Sequence, residues 1–443
     1  MQSILEMSAL DLGRAIDVGK LDPLEITEAY LAAIAAHPEA KRIYTMTTQK
    51  RALAEAKMAS QRARSRQRLS LLDGVGISWK DLFDTAGDVT EAGSDLLAKR
   101  VPEKDALCLR DATAAGLVCL GKTHMSELAF SGIGLNPVKK TPPCVNFPDT
   151  VPGGSSSGAG ASVAFGLAPA AIGSDTGGSV RIPAAWNDLV GFKTTSGLIS
   201  LEGVVPLCGS FDTVGPLTKT VEDAAQIFTT LAVQGDIDLT NASLSGRRLA
   251  VLKGDLFDVT RDAPGQAFDE SIAKFAKVGA EIKDVTVDFL SDADTIGGPL
   301  FVAEAYGTWK HEIEAAPEKM FARICDRFRH GKDVNAADFV AGWQKLKRYR
   351  AEFKSLTNGF DAVICPTAPS LPPKIDKLFN DDEYYVTENL FSLRYTRIAN
   401  LMGTCAVTLP TGRPSCGVMM LAGAFEEKRL LRLAIGAERA LSR

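Results

Sequence analysis

The sequence predicts an α/β protein with a single large mixed, mostly parallel β-sheet core flanked by helices on both sides. Between residues 74 and 123, a short apolar strand ending at Lys80 precedes a helix ("DALCLRDATAAG") and a second strand ("LVCLGKT"). Strand-helix-strand units of this kind form parallel sheets covered by helices. A similar alternation occupies residues 234–290, and no proline- or serine-rich linker interrupts the chain. We therefore expect one compact domain over residues 71–443, with a helical N-terminal segment, residues 1–70, packed on it.

Individual elements follow from local signals. Asp22, Pro23 and Glu25 place a capping residue, a first-turn proline and an N3 glutamate before the helical pattern "ITEAYLAAIAAH". A second helix, "TQKRALAEAKMASQRARSRQ", is basic on one face, which without aromatic residues indicates a solvated surface. The segment "PAAIGSDTGGSVRIPAAW" is expected to be an irregular glycine turn leading into a helix. Downstream, the sequence predicts helices after Thr220, across residues 300–358 and from Glu426, and strands within residues 361–366, 405–410 and 416–422.

Composition excludes several classes of protein. The 443 residues are 45% hydrophobic and 23% charged, as in globular proteins, and their net charge of −4 provides no broad basic surface for nucleic acid or anionic lipid. Eight cysteines without a CxxC pair, and a start without a signal-peptide pattern, predict a cytoplasmic protein. The four histidines lack metal-ligand spacing. We expect no metal, no cofactor and no nucleic-acid or membrane partner, but a monomer or homodimer that acts on a small molecule.

Two segments rich in glycine and serine carry the chemistry. They are "VPGGSSSGAGAS" at residues 151–162 and "GSDTGGSVRIPAAW" at residues 173–186, and neither matches a P-loop or a dinucleotide fingerprint. In "DTGGS", residues 175–179, two glycines allow successive N–H groups to point into one cavity, where a serine could attack a carbonyl carbon. Histidine is scarce, so Lys80 is the candidate base, because burial at a strand end lowers the pKa of a lysine.

Taken together, these motifs resemble those of the amidase signature family of serine hydrolases. The resemblance is dense over residues 70–235 and looser over residues 360–440, and it implies the amidase signature fold. Ser157 departs from the pattern, because the family more often has glycine there. The motifs that carry the resemblance are Lys80-Asp81, "GGSSSG" at 153–158, "DTGGSVRIPAA" at 175–185, "GKTHMSELAFSG", "VGFKTTSGLIS", "FDTVGPLTKTVED" and "DAVICPTAP".

The resemblance also implies roles for individual residues. Ser179 corresponds to the nucleophile, Ser155 to a bridging serine that follows a cis peptide bond, and Lys80 to the general base. Ser156 is expected to help hold Lys80, and Asp175 to brace the glycine turn. The implied reaction is metal-independent hydrolysis of a carboxamide, or of a related carbamate or ester, through an acyl-Ser179 intermediate. The implied oxyanion hole consists of the backbone N–H groups of Thr176, Gly177, Gly178 and Ser179.

Substrate contacts are less well defined by the sequence. Arg394 and Arg397 could together bind a carboxylate, but we expect this pair at the surface. His124, the one histidine within the motif-rich region, is expected to be structural, as is Arg181. The candidate pocket residues are Phe130, Ser131, Gly132, Phe147, Leu207 and Arg394.

Two alternative functions stay open at this point. One is the glutaminase (A) subunit of a tRNA-dependent amidotransferase, which has similar motifs but carries an acidic residue before its "T…AN" motif, where this chain has Leu393 and two arginines. The other is a catalytically silent scaffold with the same fold. A scaffold would have no need of Lys80, Ser155 and Ser179 together, so the sequence favours a hydrolase.

Overall fold

Residues 4–442 are described by the computed structural model. Eleven strands in this part of the chain form one sheet. The strands are β1 (Tyr44–Thr47), β2 (Gly76–Lys80), β3 (Val118–Thr123), β4 (Ala170–Asp175), β5 (Val190–Lys193), β6 (Thr213–Thr218), β7 (Arg248–Lys253), β8 (Glu281–Thr286), β9 (Ala362–Pro366), β10 (Cys405–Pro410) and β11 (Gly417–Ala422). Their order across the sheet is β1-β3-β2-β4-β6-β5-β10-β11-β9-β7-β8.

Helices cover this sheet and fill the connections between its strands. The α-helices are α1 (Ala9–Asp17), α2 (Pro23–Ala36), α3 (Ala40–Ile43), α4 (Gln49–Arg64), α5 (Leu107–Ala114), α6 (Ser157–Ala164), α7 (Arg181–Trp186), α8 (Val221–Leu231), α9 (Asp262–Lys277), α10 (Leu290–Ala315), α11 (Ala322–Arg329), α12 (Ala336–Thr357), α13 (Ile375–Asn380), α14 (Asp382–Leu393), α15 (Thr396–Met402) and α16 (Glu427–Leu441). Short 3₁₀-helices occupy Ile4–Glu6, Asp95–Leu97, Glu127–Ala129, Pro317–Lys319 and His330–Asp333. Asp22 and Thr220 cap α2 and α8 as predicted, through side-chain bonds to Leu24 N and Asp223 N.

The sheet is mixed, as the sequence predicts, but it is not mostly parallel. Among the described strands, β2 pairs in parallel with β3 and β4, and β7 with β8 and β9. The other six ladders are antiparallel, including a hairpin between β10 and β11. The prediction was wrong here because the clear strand-helix-strand units at residues 74–123 and 234–290 do not represent the whole sheet. The short connection between Pro410 and Gly417 joins antiparallel neighbours instead.

Strands β1, β4, β5 and β6 were not predicted. Residues 170–175 form β4, although the sequence suggested an irregular turn, since its residues "AAIGSD" have little β-propensity and become a strand by burial between β2 and β6. The N-terminal segment is not purely helical, because Tyr44–Thr47 adds β1 to the edge of the sheet beside β3. The prediction of a single domain stays a prediction, although all eleven strands of residues 4–442 belong to one sheet.

Two parallel neighbours within the sheet position the chemistry. Strands β2 and β4 are buried along their whole length, and Trp79 of β2 pairs with Ile172 of β4. Both strands therefore end at the same edge of the sheet, where Lys80 closes β2 and Asp175 closes β4. Polar side chains at this shared edge can meet, as functional groups commonly do in α/β sheets. None of the helices in residues 4–442 is long and apolar enough to cross a bilayer.

Candidate active site

Lys80 lies at the end of β2 with no exposed surface. Its Nζ donates hydrogen bonds to Ser155 Oγ at 2.7 Å and to Ser174 Oγ at 2.8 Å. Burial lowers the pKa of Lys80 to about 7, and the carboxylates of Asp212 and Asp175 oppose this shift only in part. Because an uncharged lysine can accept a proton, this amine can act as a base near neutral pH.

The serine loop brings Ser155 and Ser179 to the same place. The peptide bond between Gly154 and Ser155 is cis, and both serines are buried. Ser156 N donates to Ser179 O at 3.2 Å, which ties the loop to the turn that carries Ser179. The other side of the loop is anchored by Ser126 N, which donates to Ser155 O at 3.1 Å. The residue predicted as nucleophile and the residue predicted as bridge are therefore held by adjacent backbone.

Ser156 does not hold Lys80, contrary to the sequence prediction. Its hydroxyl donates to Ser174 O at 3.2 Å, and the second hydroxyl partner of Lys80 is Ser174 itself. The reason is the parallel pairing of β2 with β4, which places the end of β4 beside the lysine. A serine directly before Asp175, at the end of a strand next to β2, is the signal that could have identified Ser174.

Asp175 braces the turn after β4, as predicted. Its carboxylate accepts hydrogen bonds from Gly178 N at 2.9 Å and Val180 N at 3.1 Å, and from both Nε and Nη2 of Arg181. Burial by itself would raise the pKa of this carboxyl, but the Arg181 guanidinium outweighs it and holds the pKa well below its usual range. Arg181 is fully buried and also donates to Thr396 O, so its role is structural.

Gly178 cannot be replaced by a larger residue without distortion. Its φ of +142° is rarely adopted by other residues, and a Cβ there would lie 2.1 Å from Thr396 Oγ1. Its N–H is already donated to Asp175, so the structure removes Gly178 from the predicted set of oxyanion donors. The N–H groups of Thr176, Gly177 and Ser179 are the candidates that are left.

A further segment packs against this turn through Asp212, a residue for which the sequence analysis predicted no functional role. The hydroxyl of Thr176 donates to one carboxylate oxygen of Asp212, and the other oxygen accepts from Leu207 N at 2.9 Å and Cys208 N at 3.0 Å. Burial raises the pKa of Asp212. The turn and the loop that contributes Leu207 are thus fixed to each other through one carboxyl group.

Ser179 opens into a narrow cleft with about 330 Å³ of empty space, part of it open to solvent. Of the predicted pocket residues, Phe130, Ser131 and Leu207 line it. The cleft is lined by Ala129, Phe130, Ser131, Thr176, Gly177, Ser179, Leu207, Phe301, Arg327, Leu393 and Arg397. Its walls are mostly apolar, with two arginines among them.

The other three predicted pocket residues lie outside the cleft lining. Gly132 is packed behind it, since its N–H donates to Asn389 Oδ1 at 2.8 Å and a Cβ there would overlap Leu393. Phe147 is half-buried in the loop before β4, where its carbonyl accepts from Thr150 N. Arg394 follows α14 with its guanidinium 6.0 Å from the Phe391 ring centre. Spacing along the chain could not separate these residues from true cleft residues.

The expectation of a surface position for the arginine pair was wrong for Arg397. Its side chain is 10% exposed, and Nη1 forms an ion pair with Asp294 at 3.2 Å. Arg397 belongs to α15, whose residues from Thr396 to Met402 are all buried. Arg327, from α11, was missed, because nothing in "ARICDRFR" distinguishes it from the arginines beside it.

His124 is not among the cleft residues. Burial lowers the pKa of its imidazole to about 4, and its backbone carbonyl accepts from Gly158 N at 2.8 Å and from the Ser157 hydroxyl. Ser157, the departure from the family pattern, thus begins α6 with its side chain bonded to that carbonyl. Among residues 4–442, no group of three or more His, Cys, Asp or Glu side chains is placed to hold a metal ion.

Comparison with known proteins agrees with this arrangement. A family model described as Amidase matches residues 25–431. This chain belongs to the amidase family. Its relatives include a 2-amino-5-chloromuconic acid deaminase from Comamonas testosteroni, 34% identical over 84% of this chain and 82% of the relative. The glutaminase-type (A) subunit of the glutamyl-tRNA(Gln) amidotransferase of Alkaliphilus metalliredigens is 27% identical over 99% and 97% of the two chains.

The fold is shared as widely as the sequence. A solved amidase structure superposes with a TM-score of 0.87 at 26% identity, covering 98% of this chain and 99% of the other. The match extends over the N-terminal helices, the sheet and the C-terminal helix alike. The chain is therefore an amidase, a hydrolase of carbon–nitrogen bonds, by family and by fold.

Proposed function

We propose that this amidase hydrolyses a small-molecule carboxamide, or a related carbamate or ester, through an acyl intermediate on Ser179. The observation that carries the proposal is the buried Lys80 amine, 2.7 Å from the Ser155 hydroxyl, with a pKa lowered to about 7 by burial. A lysine kept from solvent and paired with hydroxyl groups instead of a carboxylate is arranged to exchange protons.

In the proposed acylation step, Ser179 Oγ attacks the carbonyl carbon of the amide while its proton passes to Ser155 Oγ. The proton of Ser155 passes at the same time to neutral Lys80, which becomes an ammonium ion. The N–H groups of Thr176, Gly177 and Ser179 are the candidate donors to the developing oxyanion. Collapse of the tetrahedral intermediate breaks the carbon–nitrogen bond, and the proton returns through Ser155 to the leaving nitrogen.

Deacylation uses the same groups in the same directions. A water molecule takes the place of the released amine, gives its proton to Lys80 through Ser155, and attacks the acyl carbon. The second intermediate collapses with release of the carboxylic acid, and the proton returns to Ser179. The cycle consumes one water and one amide and leaves the enzyme unchanged.

A fluorophosphonate probe tests this proposal directly. We expect covalent labelling of Ser179 in the wild-type protein and none in Ser179→Ala, and no amide hydrolysis by that variant. Ser162→Ala is a matched control, because Ser162 is also a buried serine but bonds to Ser78 away from the cleft. Labelling at another residue, or amide turnover retained in Ser179→Ala, would overturn the proposal. A protein without labelling and without turnover would be the silent scaffold.

The glutaminase alternative receives less support from the cleft. Leu393 and Arg397 line it where that function would call for an acidic residue, and none of the described lining residues is a carboxylate. The similarity to the amidotransferase nevertheless covers 99% of this chain. Glutamine hydrolysis that appears only with a second protein chain bound would establish this alternative.

Location and assembly belong to the proposal as well. All eight cysteines are free and buried, which suits a reducing compartment, and we propose a cytoplasmic enzyme. We propose a monomer or homodimer that needs neither a metal nor an organic cofactor, since the roles of base, nucleophile and oxyanion donor are all filled by side chains and backbone of this chain.

A further inference from the structure

Two guanidinium groups border the cleft in front of Ser179, and their charges are balanced differently. Arg327 and Arg397 both line the cleft, and no acidic residue of the described chain lines it with them. The rest of the lining is apolar or uncharged. Such a site has a net positive charge, which attracts an anionic group of a substrate and repels a cationic one.

The charge of Arg397 is compensated within the protein. Its Nη1 pairs with Asp294 Oδ1 at 3.2 Å, and its guanidinium lies 5.7 Å from the Phe301 ring centre. Arg397 therefore contributes little unbalanced charge. Its position between Asp294 and the cleft makes it a wall of the site rather than an open binding group.

The charge of Arg327 has no such compensation. Its Nη1 is buried and has no hydrogen-bond partner, and no described carboxylate forms an ion pair with it. Its guanidinium lies 4.3 Å from the ring centre of Phe130, another cleft residue. Burial, followed by repulsion from Arg397, lowers the pKa of Arg327 to about 9, so the group is still charged at neutral pH.

An unpaired guanidinium donor in a partly enclosed site is costly, because the group has lost water without gaining an acceptor. A ligand that supplies a carboxylate would remove that cost, and a guanidinium presents two parallel N–H donors that match a carboxylate. A neutral amide of the same size would leave the donor unpaired. Discrimination on this basis is larger than that available from apolar contact with Phe130 or Leu207.

We propose that Arg327 binds a carboxylate of the substrate, so that the preferred substrate is a small amide that also carries a free carboxylate, such as the monoamide of a short dicarboxylic acid. This inference rests on the proposed function, because it identifies the substrate class of the same site. Arg327 acts in binding and specificity and takes no part in the bond-breaking steps. The narrow cleft restricts the substrate to a short chain between carboxylate and amide.

Binding to Ser179→Ala protein tests the inference without turnover. Isothermal titration with the monoamides of succinic and glutaric acid is compared with titration by the corresponding neutral diamides. We expect at least one monoamide to bind about 30-fold more tightly than its diamide, the advantage of a desolvated charge pair. Equal affinity for the monoamides and diamides, or binding of the diamides alone, would overturn the inference, as would the absence of binding by every probe.

A pair of variants on the same helix isolates the guanidinium. Arg327→Gln in the Ser179→Ala background should lose the roughly 30-fold preference for the acidic probe. Arg329→Gln is the matched control, because Arg329 also belongs to α11 but its guanidinium donates to Glu314 and does not line the cleft. An acidic preference that survives Arg327→Gln, or that disappears equally in Arg329→Gln, would contradict the assignment to Arg327.

Turnover by the wild-type enzyme separates this inference from the proposed function. Hydrolysis of the monoamides with a higher kcat/KM than the diamides, lost as a preference in Arg327→Gln, supports both. Hydrolysis that favours the diamides, with Ser179 labelled by the fluorophosphonate, overturns the carboxylate inference and leaves the hydrolase in place. Tight binding of the monoamides by a protein whose Ser179 cannot be labelled supports the binding site and overturns the proposed catalytic role.

Discussion

The Nζ of Lys80 donates to the Oγ of Ser155 at 2.7 Å, and no carboxylate lies between them. Lysines in protein interiors are ordinarily paired with acids, which keep them charged. This lysine has only hydroxyl partners, Ser155 and Ser174, and burial brings its pKa to about 7. The relationship makes Lys80 a proton acceptor and gives its removal a defined consequence.

Lys80→Met should lower amide kcat/KM by about 1,000-fold or more, because methionine keeps the volume of the side chain but removes the base. Steady-state kinetics on a simple carboxamide would measure the loss. Lys193→Met is a control for the burial of a lysine, since Lys193 is also buried but donates to the carbonyls of Thr194 and Thr404. Comparable activity in Lys80→Met and wild-type protein would rule out this base.

The rate should also depend on pH through the Lys80 amine. Below a pKa of about 7 the amine is an ammonium ion and cannot accept a proton, so kcat/KM should rise about tenfold per pH unit and level off above neutrality. Initial rates measured from about pH 5 to about pH 9 would show the inflection. Burial lowers the pKa of His124 to about 4, so that imidazole is already neutral across the inflection. His124→Asn should leave the inflection in place, and a shift there would implicate the histidine.

Local signals were enough to predict the residues at the ends of β2 and β4. Lys80 ends an apolar strand, and "DTGGS" contains the glycines that a sharp turn needs, so the relation of base to nucleophile could be derived from motifs. Ser174 and Asp212 were missed because their roles depend on pairing between strands and loops far apart in sequence. The direction of the ladders was missed for the same reason.

The substrate cleft was the least predictable part. Arg327 and Phe301 come from helices α11 and α10, more than a hundred residues after Ser179, and helical periodicity does not indicate which side chain reaches a cleft on another element. Arg397 was expected at the surface because a charged residue usually lies there. Its burial follows from the packing of α15, which no local pattern around Arg397 reveals.

Gly178→Ala should destabilise the fold and abolish activity. The added methyl group would lie 2.1 Å from Thr396 Oγ1 at a φ of +142°, so the turn that presents Ser179 would have to move. We expect a loss of about 2 kcal/mol or more in the free energy of unfolding, measured by urea denaturation. Gly177→Ala is the matched variant, because a Cβ there meets Arg397 Cγ at an ordinary 3.6 Å. Equal stability of the two variants would contradict this account.

Asp175→Asn should destabilise the protein more than any exposed ion pair could. The carboxylate compensates the fully buried Arg181 and accepts the N–H groups of Gly178 and Val180. Asparagine keeps the shape but removes the charge, and a buried arginine left without its partner costs about 3–5 kcal/mol. Arg14→Gln, which breaks an exposed pair with Glu222, should leave the urea midpoint unchanged.

The destabilisation by Asp175→Asn should itself depend on pH. Because the pKa of Asp175 is held well below its usual range, the contribution of its charge is complete above the unfolded pKa of about 4 and is lost as the pH falls further. Urea denaturation of both proteins across this range would measure the difference in the free energy of unfolding. That difference should be constant near neutral pH and shrink in acid, and a difference that grows in acid would exclude the pair of Asp175 with Arg181 as its cause.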